Sequence, residues 1–346
     1  MDRLQAIEIT HLQRLQHVFG DYSEAMLFLS HLGDPRSAFL MCVPLVYCIS
    51  RGAGLKVLWA AVMSEWLNLL LKWILNGHRP YWWVHESKLY EDDNRPIIKQ
   101  YRLTCETGPG VPSGHAMVAT AVWFIMMSSL ATHLATMSKS TNPRSRLMRF
   151  ICILPWLFLA GLASVICVSR VFIATHFTHQ VLLGVLVGVL VGLFISNLQV
   201  HAFSTSTHVG FAIFVVLATF LQYGIMAALN FDPSWSMTLA LRWCERREWV
   251  HLDTTPLYCI ARDFGSLTLL AASERFVATK EIAGVGRQIA AVATSLICAQ
   301  LIELVRFPMD NVSVFYAMGA VKYGAVVVST VAIKRLCCYG KKNKTL

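Results

Sequence analysis

Long apolar runs separated by short polar segments set the pattern of this chain. Windows of about 20 mainly apolar residues are long enough to cross a bilayer as helices. The pattern predicts an all-α, polytopic membrane protein with about nine transmembrane helices and one domain over residues 1–346. The predicted spans lie near residues 25–50, 55–75, 116–135, 150–168, 179–195, 210–229, 256–272, 289–305 and 314–333.

Composition and charge agree with a membrane protein. Hydrophobic residues make up 55% of the chain and charged residues only 14%, whereas soluble domains carry about 25% charged residues. A formal net charge of +10 would suggest nucleic acid as a partner for a soluble protein. Here the positive-inside rule accounts for much of it, so we expect membrane lipids and no nucleic acid as partners.

The distribution of basic residues predicts the orientation. The segment from Ser138 to Arg149 carries four basic residues and no acidic residue, which is typical of a cytosolic loop. An odd number of spans then places the N-terminus on the lumenal or external side and the tail, residues 336–346, in the cytosol. The polar loop at residues 76–114 is predicted to lie on the side opposite the cytosol.

Most of the ten cysteines lie inside apolar runs, and none has the spacing of a metal site. We therefore expect no metal and no cofactor. Cys105 and Cys244 lie in polar loops and could pair in an oxidising lumen, although the sequence alone does not favour that pairing.

Three further features lie within the predicted spans. In the first span, Asp34 and Arg36 either pair with each other, the plainer interpretation, or Asp34 reaches a polar site. In the second span, Glu65, Asn68 and Lys72 share one helical face. In the fifth span, glycines at four-residue spacing predict close packing against another helix; they are Gly184, Gly188 and Gly192.

Three polar clusters stand at the edges of apolar runs on the predicted non-cytosolic side. An ionisable residue at such a boundary is costly unless it faces water, a partner or a ligand. Together the clusters predict one shared phosphate site. They are Lys72 with Arg79-Pro80, then Pro112-Ser113-Gly114-His115, and Ser169-Arg170 with His176.

The residue types suit hydrolysis of a phosphate monoester. Guanidinium groups bind phosphate in a bidentate manner, and an ammonium group adds a compact charge. A hydroxyl group and a helix N-terminus can donate to another phosphate oxygen. One histidine can attack phosphorus while a second protonates the leaving oxygen. A boundary cation or a lone histidine is more often structural when taken singly, but the whole constellation is harder to explain that way.

The same motifs resemble a known superfamily. Lys-x6-Arg-Pro, Pro-Ser-Gly-His and Ser-Arg-x5-His are similar to the motifs of the type 2 phosphatidic acid phosphatase and vanadium haloperoxidase superfamily. Flanking segments resemble the glucose-6-phosphatase catalytic subunit family over nearly the whole chain. These segments are Glu65–Asn68, Arg79–Val84, Cys105–Gly110 and Trp243–Glu245.

The resemblance implies roles for the site residues and a location for the protein. His176 would be the phosphohistidine nucleophile and His115 the general acid and later base. Lys72, Arg79 and Arg170 would bind the phosphate, and the family works in the endoplasmic reticulum, as a lysine-rich tail also suggests. A sugar phosphate is then the expected substrate, and a glucose 6-phosphate transporter the expected partner.

One residue departs from the superfamily pattern. The aspartate four residues after the nucleophile is Gln180 here, as the resemblance to glucose-6-phosphatases implies. A neutral amide can orient a histidine but supplies no charge. Gln180, a backbone carbonyl group or Asp34 could orient His176, and the sequence does not choose among them. His179 is predicted to be a supporting or structural histidine.

The identity of the substrate stays open at this point. Glucose 6-phosphate is the first hypothesis, and 1,5-anhydroglucitol 6-phosphate follows if the resemblance of residues 84–87 and 242–246 to the family's third isozyme group holds. A lipid phosphate is an alternative, which the polar aromatic loops disfavour. A phosphate-ester transporter is a third hypothesis, which the lack of a matching inverted repeat disfavours.

The loop residue Glu106 is predicted to bind substrate through a contact to a sugar hydroxyl group, because it precedes the Pro-Ser-Gly-His motif by a few residues. The alternative is a loop-stabilising carboxylate paired with Arg79 or Arg102.

Overall fold

Helices make up the regular structure of the chain in the computed structural model, which describes residues 2–141, 146–251, 254–275, 284–305 and 311–338. Within those ranges the only strand-like pairing is a single bridge between Glu106 and His251, so the predicted all-α class is confirmed. The helices are α1 (Asp2–Val18), α2 (Ser23–Leu32), α3 (Pro35–Ser37), α4 (Val43–Ile49), α5 (Arg51–Leu75), α6 (Pro80–Glu86), α7 (Gly114–Thr141), α8 (Arg146–Phe172), α9 (Thr178–Asn197), α10 (Thr205–Ala228), α11 (Trp235–Trp243), α12 (Pro256–Glu274), α13 (Val285–Leu304) and α14 (Val312–Cys338).

Seven helices of the described chain are long and apolar enough to cross a membrane, and the count is eight if the bent pair Gly20–Leu32 and Pro35–Ile49 forms one span. The predicted total of nine is not confirmed. The missing one coincides with α12, which carries the adjacent charges Arg262 and Asp263. Residues 142–145 of the basic loop and residues 339–346 of the tail lie outside the described residues.

The bend in the first pair is built around Asp34. Its carboxylate accepts a hydrogen bond from the backbone N–H of Arg36 at 2.9 Å, and Pro35 opens the second half. This is the N-cap arrangement that satisfies free N–H groups at a helix start. The same carboxylate forms an ion pair with the Arg36 guanidinium at 2.5 Å. The predicted pairing of these two charges is therefore confirmed, and Asp34 also lines a polar cleft.

Helices α7 and α9 pack closely through the glycines of α9. A Cβ atom at Gly184 would lie 2.7 Å from the Ser113 carbonyl oxygen, and one at Gly188 would lie 2.5 Å from the Met117 carbonyl oxygen. Both distances are too short for any side chain, so the predicted close-packing face is confirmed. This packing fixes the start of α7, which carries His115, against the helix that follows His176.

A buried ion pair joins α5 to α12. The Arg262 guanidinium donates to both carboxylate oxygens of Glu65, at 2.5 and 3.2 Å, and both side chains are almost fully buried. The guanidinium also lies 5.1 Å from the ring centroids of Phe39 and Tyr323. Such a pair is tolerated in an apolar interior only when its hydrogen bonds are complete. Glu65 therefore has a structural partner.

The long loop between α6 and α7 is held down by contacts from distant parts of the chain. The Gln16 amide of α1 donates to the carbonyl oxygens of Lys99 and Phe172, each at 2.8 Å. Cys105 forms a disulfide bond with Cys244, across a separation of 139 residues. The sequence did not favour this pairing, because no local signal brings the two loops together. The disulfide places both loops at the same end of the bundle.

Candidate active site

Arg79 is aimed by carbonyl groups of the long loop. It immediately precedes α6, where Pro80 starts the helix. Its Nε donates to the Gly108 carbonyl oxygen at 2.7 Å, and its Nη2 donates to that of Pro109 at 3.2 Å. The side chain is fully buried. Three fixed carbonyl contacts, including Thr175 at 3.2 Å, leave the guanidinium one orientation.

The Pro-Ser-Gly-His motif forms the start of α7. The Asn68 side chain donates to the Pro112 carbonyl oxygen at 3.1 Å, and the Ser113 N–H donates to the Gln180 carbonyl oxygen at 3.1 Å. The Ser113 hydroxyl group lies 3.5 Å from the Ala116 N–H that it caps. Ser113 is fully buried away from the cleft that Gly114 and His115 line. Its own role toward phosphate stays a prediction.

Arg170 and His176 are placed by the end of α8 and the turn that follows it. The Arg170 carbonyl oxygen accepts from the N–H groups of Thr175 and His176 at 3.3 and 3.4 Å. Ala174 adopts a left-handed conformation with φ of 57°, which turns the chain back toward the cleft. The Arg170 Nη1 donates to the Ser30 hydroxyl group at 2.8 Å. Both functional side chains are almost fully buried.

The hydrogen bonds around His176 define its tautomer. Its Nδ1 lies 2.9 Å from the Gly110 carbonyl oxygen and 3.3 Å from the Gln180 Oε1, and both are acceptors. Nδ1 therefore carries the proton. Nε2 faces the Nη1 donor of Arg79 at 3.2 Å and so presents a lone pair. Burial and the nearby Arg79 lower the pKa of His176 well below 6.5, which keeps the imidazole neutral.

Gln180 and a backbone carbonyl group thus orient His176, which the sequence could not decide. Gln180 is itself fixed, since its Nε2 donates to the His78 carbonyl oxygen at 2.7 Å and its Oε1 accepts from the Phe177 N–H at 3.2 Å. Asp34 is engaged by Arg36 instead. The neighbouring His179 pairs with Glu8 at 2.7 Å, which fits the structural role predicted for it.

Glu106 stands at the centre of the predicted phosphate ligands. Its Oε1 contacts the Nη2 of Arg170 and lies 3.3 Å from the Nδ1 of His115. Its Oε2 lies 2.9 Å from the Nη2 of Arg79 and 3.7 Å from the Nε2 of His176. Burial opposes its ionisation, but Arg170 and Arg79 outweigh burial and hold the pKa of Glu106 well below 4.5. The carboxylate is therefore an anion bound by Arg79, Arg170 and His115, and it lies close to the unprotonated Nε2 of His176.

The predicted pairing of Glu106 with Arg79 is confirmed, whereas Arg102 pairs with Glu24 instead, at 3.1 Å. The contact of Glu106 to a sugar hydroxyl group stays a prediction.

A cleft opens beside these side chains. Lys72 lines it and is half-buried, beside Gly108. Polar groups from other helices continue the lining away from Glu106; they are Asp34, Arg36, Glu65, Asn68, His251, Thr254 and Arg262. The cleft therefore joins the cation cluster to a second polar wall.

Sequence reasoning missed part of this wall. Arg262 and the loop residues His251 and Thr254 had no motif to mark them. The adjacent charges of Arg262 and Asp263 inside an apolar segment were a usable signal, because intramembrane charges are rarely without a role. Among the predicted catalytic and phosphate-binding residues, Lys72, His115 and Arg170 line the cleft. Arg79 and His176 are fully buried and lie behind the Glu106 carboxylate.

Comparison with known proteins assigns the class. Residues 53–204 match the model of the PAP2 superfamily, and this segment contains all the motif residues named above. The chain is 36% identical to human glucose-6-phosphatase 2, over 96% of this chain and 95% of that one. It is 35% identical to glucose-6-phosphatase catalytic subunit 1 of Haplochromis nubilus, over 92% and 91% of the two chains. No solved structure matches.

The chain therefore belongs to the glucose-6-phosphatase family of the PAP2 superfamily, and it is a phosphatase. The dog catalytic subunit 1 is similar over an equally complete range, at 34% identity across 97% of this chain. Likeness along nearly the whole length includes the α12 region, which lies outside the superfamily match.

Proposed function

We propose that this protein hydrolyses glucose 6-phosphate to glucose and phosphate through a phosphohistidine at His176. The convergence of two guanidinium groups and two imidazoles on one anion position carries the proposal. Arg79 and His176 lie close to one oxygen of the Glu106 carboxylate, whereas Arg170 and His115 lie close to the other. A phosphoryl group centred there lies between a nucleophile on one side and an acid on the other.

The first chemical step transfers the phosphoryl group to the enzyme. The neutral Nε2 of His176 attacks phosphorus, and the bond from phosphorus to the sugar oxygen breaks. His115 gives a proton to that oxygen, which leaves as the sugar hydroxyl group. Arg79, Arg170 and Lys72 neutralise the charge on the phosphoryl oxygens, and the free N–H of Gly114 at the helix start donates to one of them.

The second step returns the enzyme to its starting state. His115, now without its proton, takes a proton from water, and the resulting hydroxide attacks the phosphorus of phosphohistidine. The phosphorus–nitrogen bond breaks, and its electron pair returns to Nε2 of His176. The Gly110 carbonyl and Gln180 hold Nδ1 throughout, so the ring regains the same tautomer.

The sugar moiety is assigned to the remainder of the cleft. Its second wall offers hydrogen-bonding groups of both signs, among them Asn68, Thr254 and the Glu65–Arg262 pair. Hydroxyl groups of a sugar suit such a lining better than acyl chains do, and the relatives are named for glucose 6-phosphate.

The proposed location is the membrane of the endoplasmic reticulum, with the site and the N-terminus lumenal and the tail cytosolic. The Cys105–Cys244 disulfide beside the site supports an oxidising compartment on that side. The positive-inside charge distribution supports the same orientation. A glucose 6-phosphate transporter, which would supply substrate to a lumenal site, stays a proposed partner.

The test compares histidine variants of the purified protein. His176→Ala should abolish both turnover and phosphoenzyme formation, and His115→Ala should abolish turnover of glucose 6-phosphate. His179→Ala is the matched control, because this nearby histidine bonds Glu8 outside the cleft, and it should retain activity. Full turnover by correctly inserted His176→Ala would reject the assigned nucleophile.

A substrate panel separates the alternative substrates. Glucose 6-phosphate, 1,5-anhydroglucitol 6-phosphate and phosphatidic acid are compared at matched concentrations, with orthovanadate as inhibitor. We expect both sugar phosphates to be hydrolysed and phosphatidic acid to be poor. Preferred hydrolysis of phosphatidic acid would favour the lipid phosphatase, and flux of intact sugar phosphate into proteoliposomes would favour a transporter.

A further inference from the structure

The side chain of Glu106 occupies the place where substrate phosphate has to bind. Its two oxygens contact Arg79, Arg170 and His115, and one oxygen lies 3.7 Å from the nucleophilic Nε2 of His176. Phosphorus must approach that nitrogen to within about 3–3.5 Å before attack. The carboxylate and a phosphoryl group therefore cannot hold these positions together.

We infer that Glu106 is a built-in competitor of phosphate, which binds the catalytic cations in the empty site and moves onto His115 alone when substrate enters. The inference deepens the proposed function and rests on it for the assignment of the phosphate site. It gives Glu106 two connected tasks: weakening the affinity for phosphate and positioning His115.

The backbone around Glu106 is anchored, so displacement has to come from its side chain. The Glu106 N–H donates to the Thr104 carbonyl oxygen at 2.9 Å, and its own carbonyl oxygen accepts from the Tyr81 hydroxyl group at 2.9 Å. Cys105 is fixed by the disulfide with Cys244. The side chain borders the open cleft, which gives its carboxylate space to rotate away from Arg79 and Arg170.

The charges explain why such a competitor is useful. Lys72, Arg79 and Arg170 bring three positive charges to one cleft, and a phosphate dianion among them would leave slowly. Each turnover releases inorganic phosphate, so very tight binding of this product would limit the rate. An internal carboxylate that reoccupies the two guanidinium groups lowers the affinity for phosphate without removing the cations that stabilise the transition state.

The contact with His115 provides the second task. Once phosphate binds the guanidinium groups, the remaining partner of Glu106 is the Nδ1 of His115, 3.3 Å away. A carboxylate at Nδ1 holds the proton there and fixes the ring, so that the other nitrogen faces the leaving oxygen. Glu106 acts here as a positioning residue.

The experiment measures binding of inorganic phosphate and of orthovanadate to purified protein, by thermal unfolding and isotope binding. These readouts need no turnover. Glu106→Gln should bind both anions roughly 30-fold more tightly than the wild type, which corresponds to about 2 kcal/mol. Its kcat for glucose 6-phosphate should fall while KM also falls. Glu24→Gln is the control, since Glu24 pairs with Arg102 at an exposed site, and it should leave anion affinity unchanged.

A purely structural role for Glu106 predicts the opposite change in the affinity for phosphate and orthovanadate. If Glu106 only holds the arginines in place, Glu106→Gln binds phosphate and orthovanadate more weakly, and that result overturns the inference, as does unchanged affinity. Should Glu106→Gln not fold, Glu106→Ala with added acetate gives the same information. Acetate should occupy the vacated place and weaken phosphate binding in Glu106→Ala but not in the wild type; no competition by acetate would also overturn the inference. A further outcome separates the two proposals. If neither the wild type nor any variant hydrolyses glucose 6-phosphate, but Glu106→Gln still binds phosphate more tightly than the wild type, the proposed function is rejected and the inference about Glu106 stands.

Discussion

The contact between Gly110 and His176 gives the sharpest prediction about catalysis. In the variant Gly110→Ala, the added Cβ would lie 2.6 Å from the His78 carbonyl oxygen and 2.8 Å from the Gln180 Oε1. Neither neighbour can easily yield, because Gln180 makes hydrogen bonds with the His78 carbonyl oxygen and the Phe177 N–H. No described glycine has a positive φ, so the effect is one of space alone.

The Gly110 peptide group must therefore move by several tenths of an ångström. Its carbonyl oxygen accepts a hydrogen bond from the Nδ1–H of His176 at 2.9 Å. A shift of that size lengthens the distance between these two atoms toward about 3.5 Å, beyond which the hydrogen bond is lost. Misplacement of a nucleophile by about 1 Å can cost roughly 100-fold in rate, or about 2.7 kcal/mol of transition-state stabilisation. For a shift of several tenths of an ångström we expect kcat to fall by roughly 10-fold.

The assay combines steady-state kinetics with trapping of the phosphoenzyme. Gly110→Ala should form phosphohistidine slowly while it keeps the thermal stability of the wild type to within a few degrees. Gly161→Ala is the control, because a Cβ at Gly161 of α8 meets nothing within 4 Å. A Gly110→Ala protein with wild-type kcat would show that this carbonyl group does not orient the nucleophile.

Three further predictions concern stability and pH. The variant Cys105→Ser removes the disulfide bond and should destabilise the folded state by about 2–5 kcal/mol. The melting temperature should fall, and Cys244→Ser should lower it by the same amount. An unchanged melting temperature in both variants would show that the bond does not stabilise the fold. Replacing Arg262 in Arg262→Met should cost about 3–5 kcal/mol because Glu65 keeps a buried, uncompensated charge, and adding Glu65→Gln should recover part of it; thermal unfolding of the single and double variants decides. Because the pKa of His176 is lowered well below 6.5, acidification toward pH 5.5 should not silence the nucleophile. Phosphoenzyme formation from an ester whose leaving group needs no proton from His115, corrected for the ionisation of substrate phosphate, should therefore stay level between pH 7.5 and 5.5, and a steep fall would contradict the lowered pKa. The unfolded chain binds a proton at this residue below about 6.5, so its contribution lowers folding stability on the acid side only.

The helices and the clustering of the residues proposed to bind phosphate were predictable because their signals are local. Apolar runs predict helices, and glycines at four-residue spacing predicted the α7–α9 contact, which involves Gly184 and Gly188. Lys72, Arg79 and Arg170 stood at boundaries where charge is costly, and that cost alone marked them.

The remaining features depend on long-range pairing that no local pattern encodes. Arg262 pairs with Glu65 across a separation of 197 residues, and Cys105 forms a disulfide bond with Cys244 across 139 residues. The position of Glu106 is a similar case. Its place in the sequence suggested a contact to the sugar. In the folded structure its carboxylate pairs with Arg79 and Arg170, which lie in other segments of the chain.

The Glu65–Arg262 pair also bears on how the protein is made. Helix α5 leaves the ribosome long before α12, so Glu65 enters the apolar environment while its only salt-bridge partner in the described chain is still unsynthesised. A carboxylate in that position is costly until Arg262 arrives. We therefore predict that a chain truncated before α12, in which Glu65 lacks Arg262, is degraded faster than the same truncated chain carrying Glu65→Gln. A comparison of the cellular half-lives of the two truncated chains tests this prediction, and equal half-lives would contradict it.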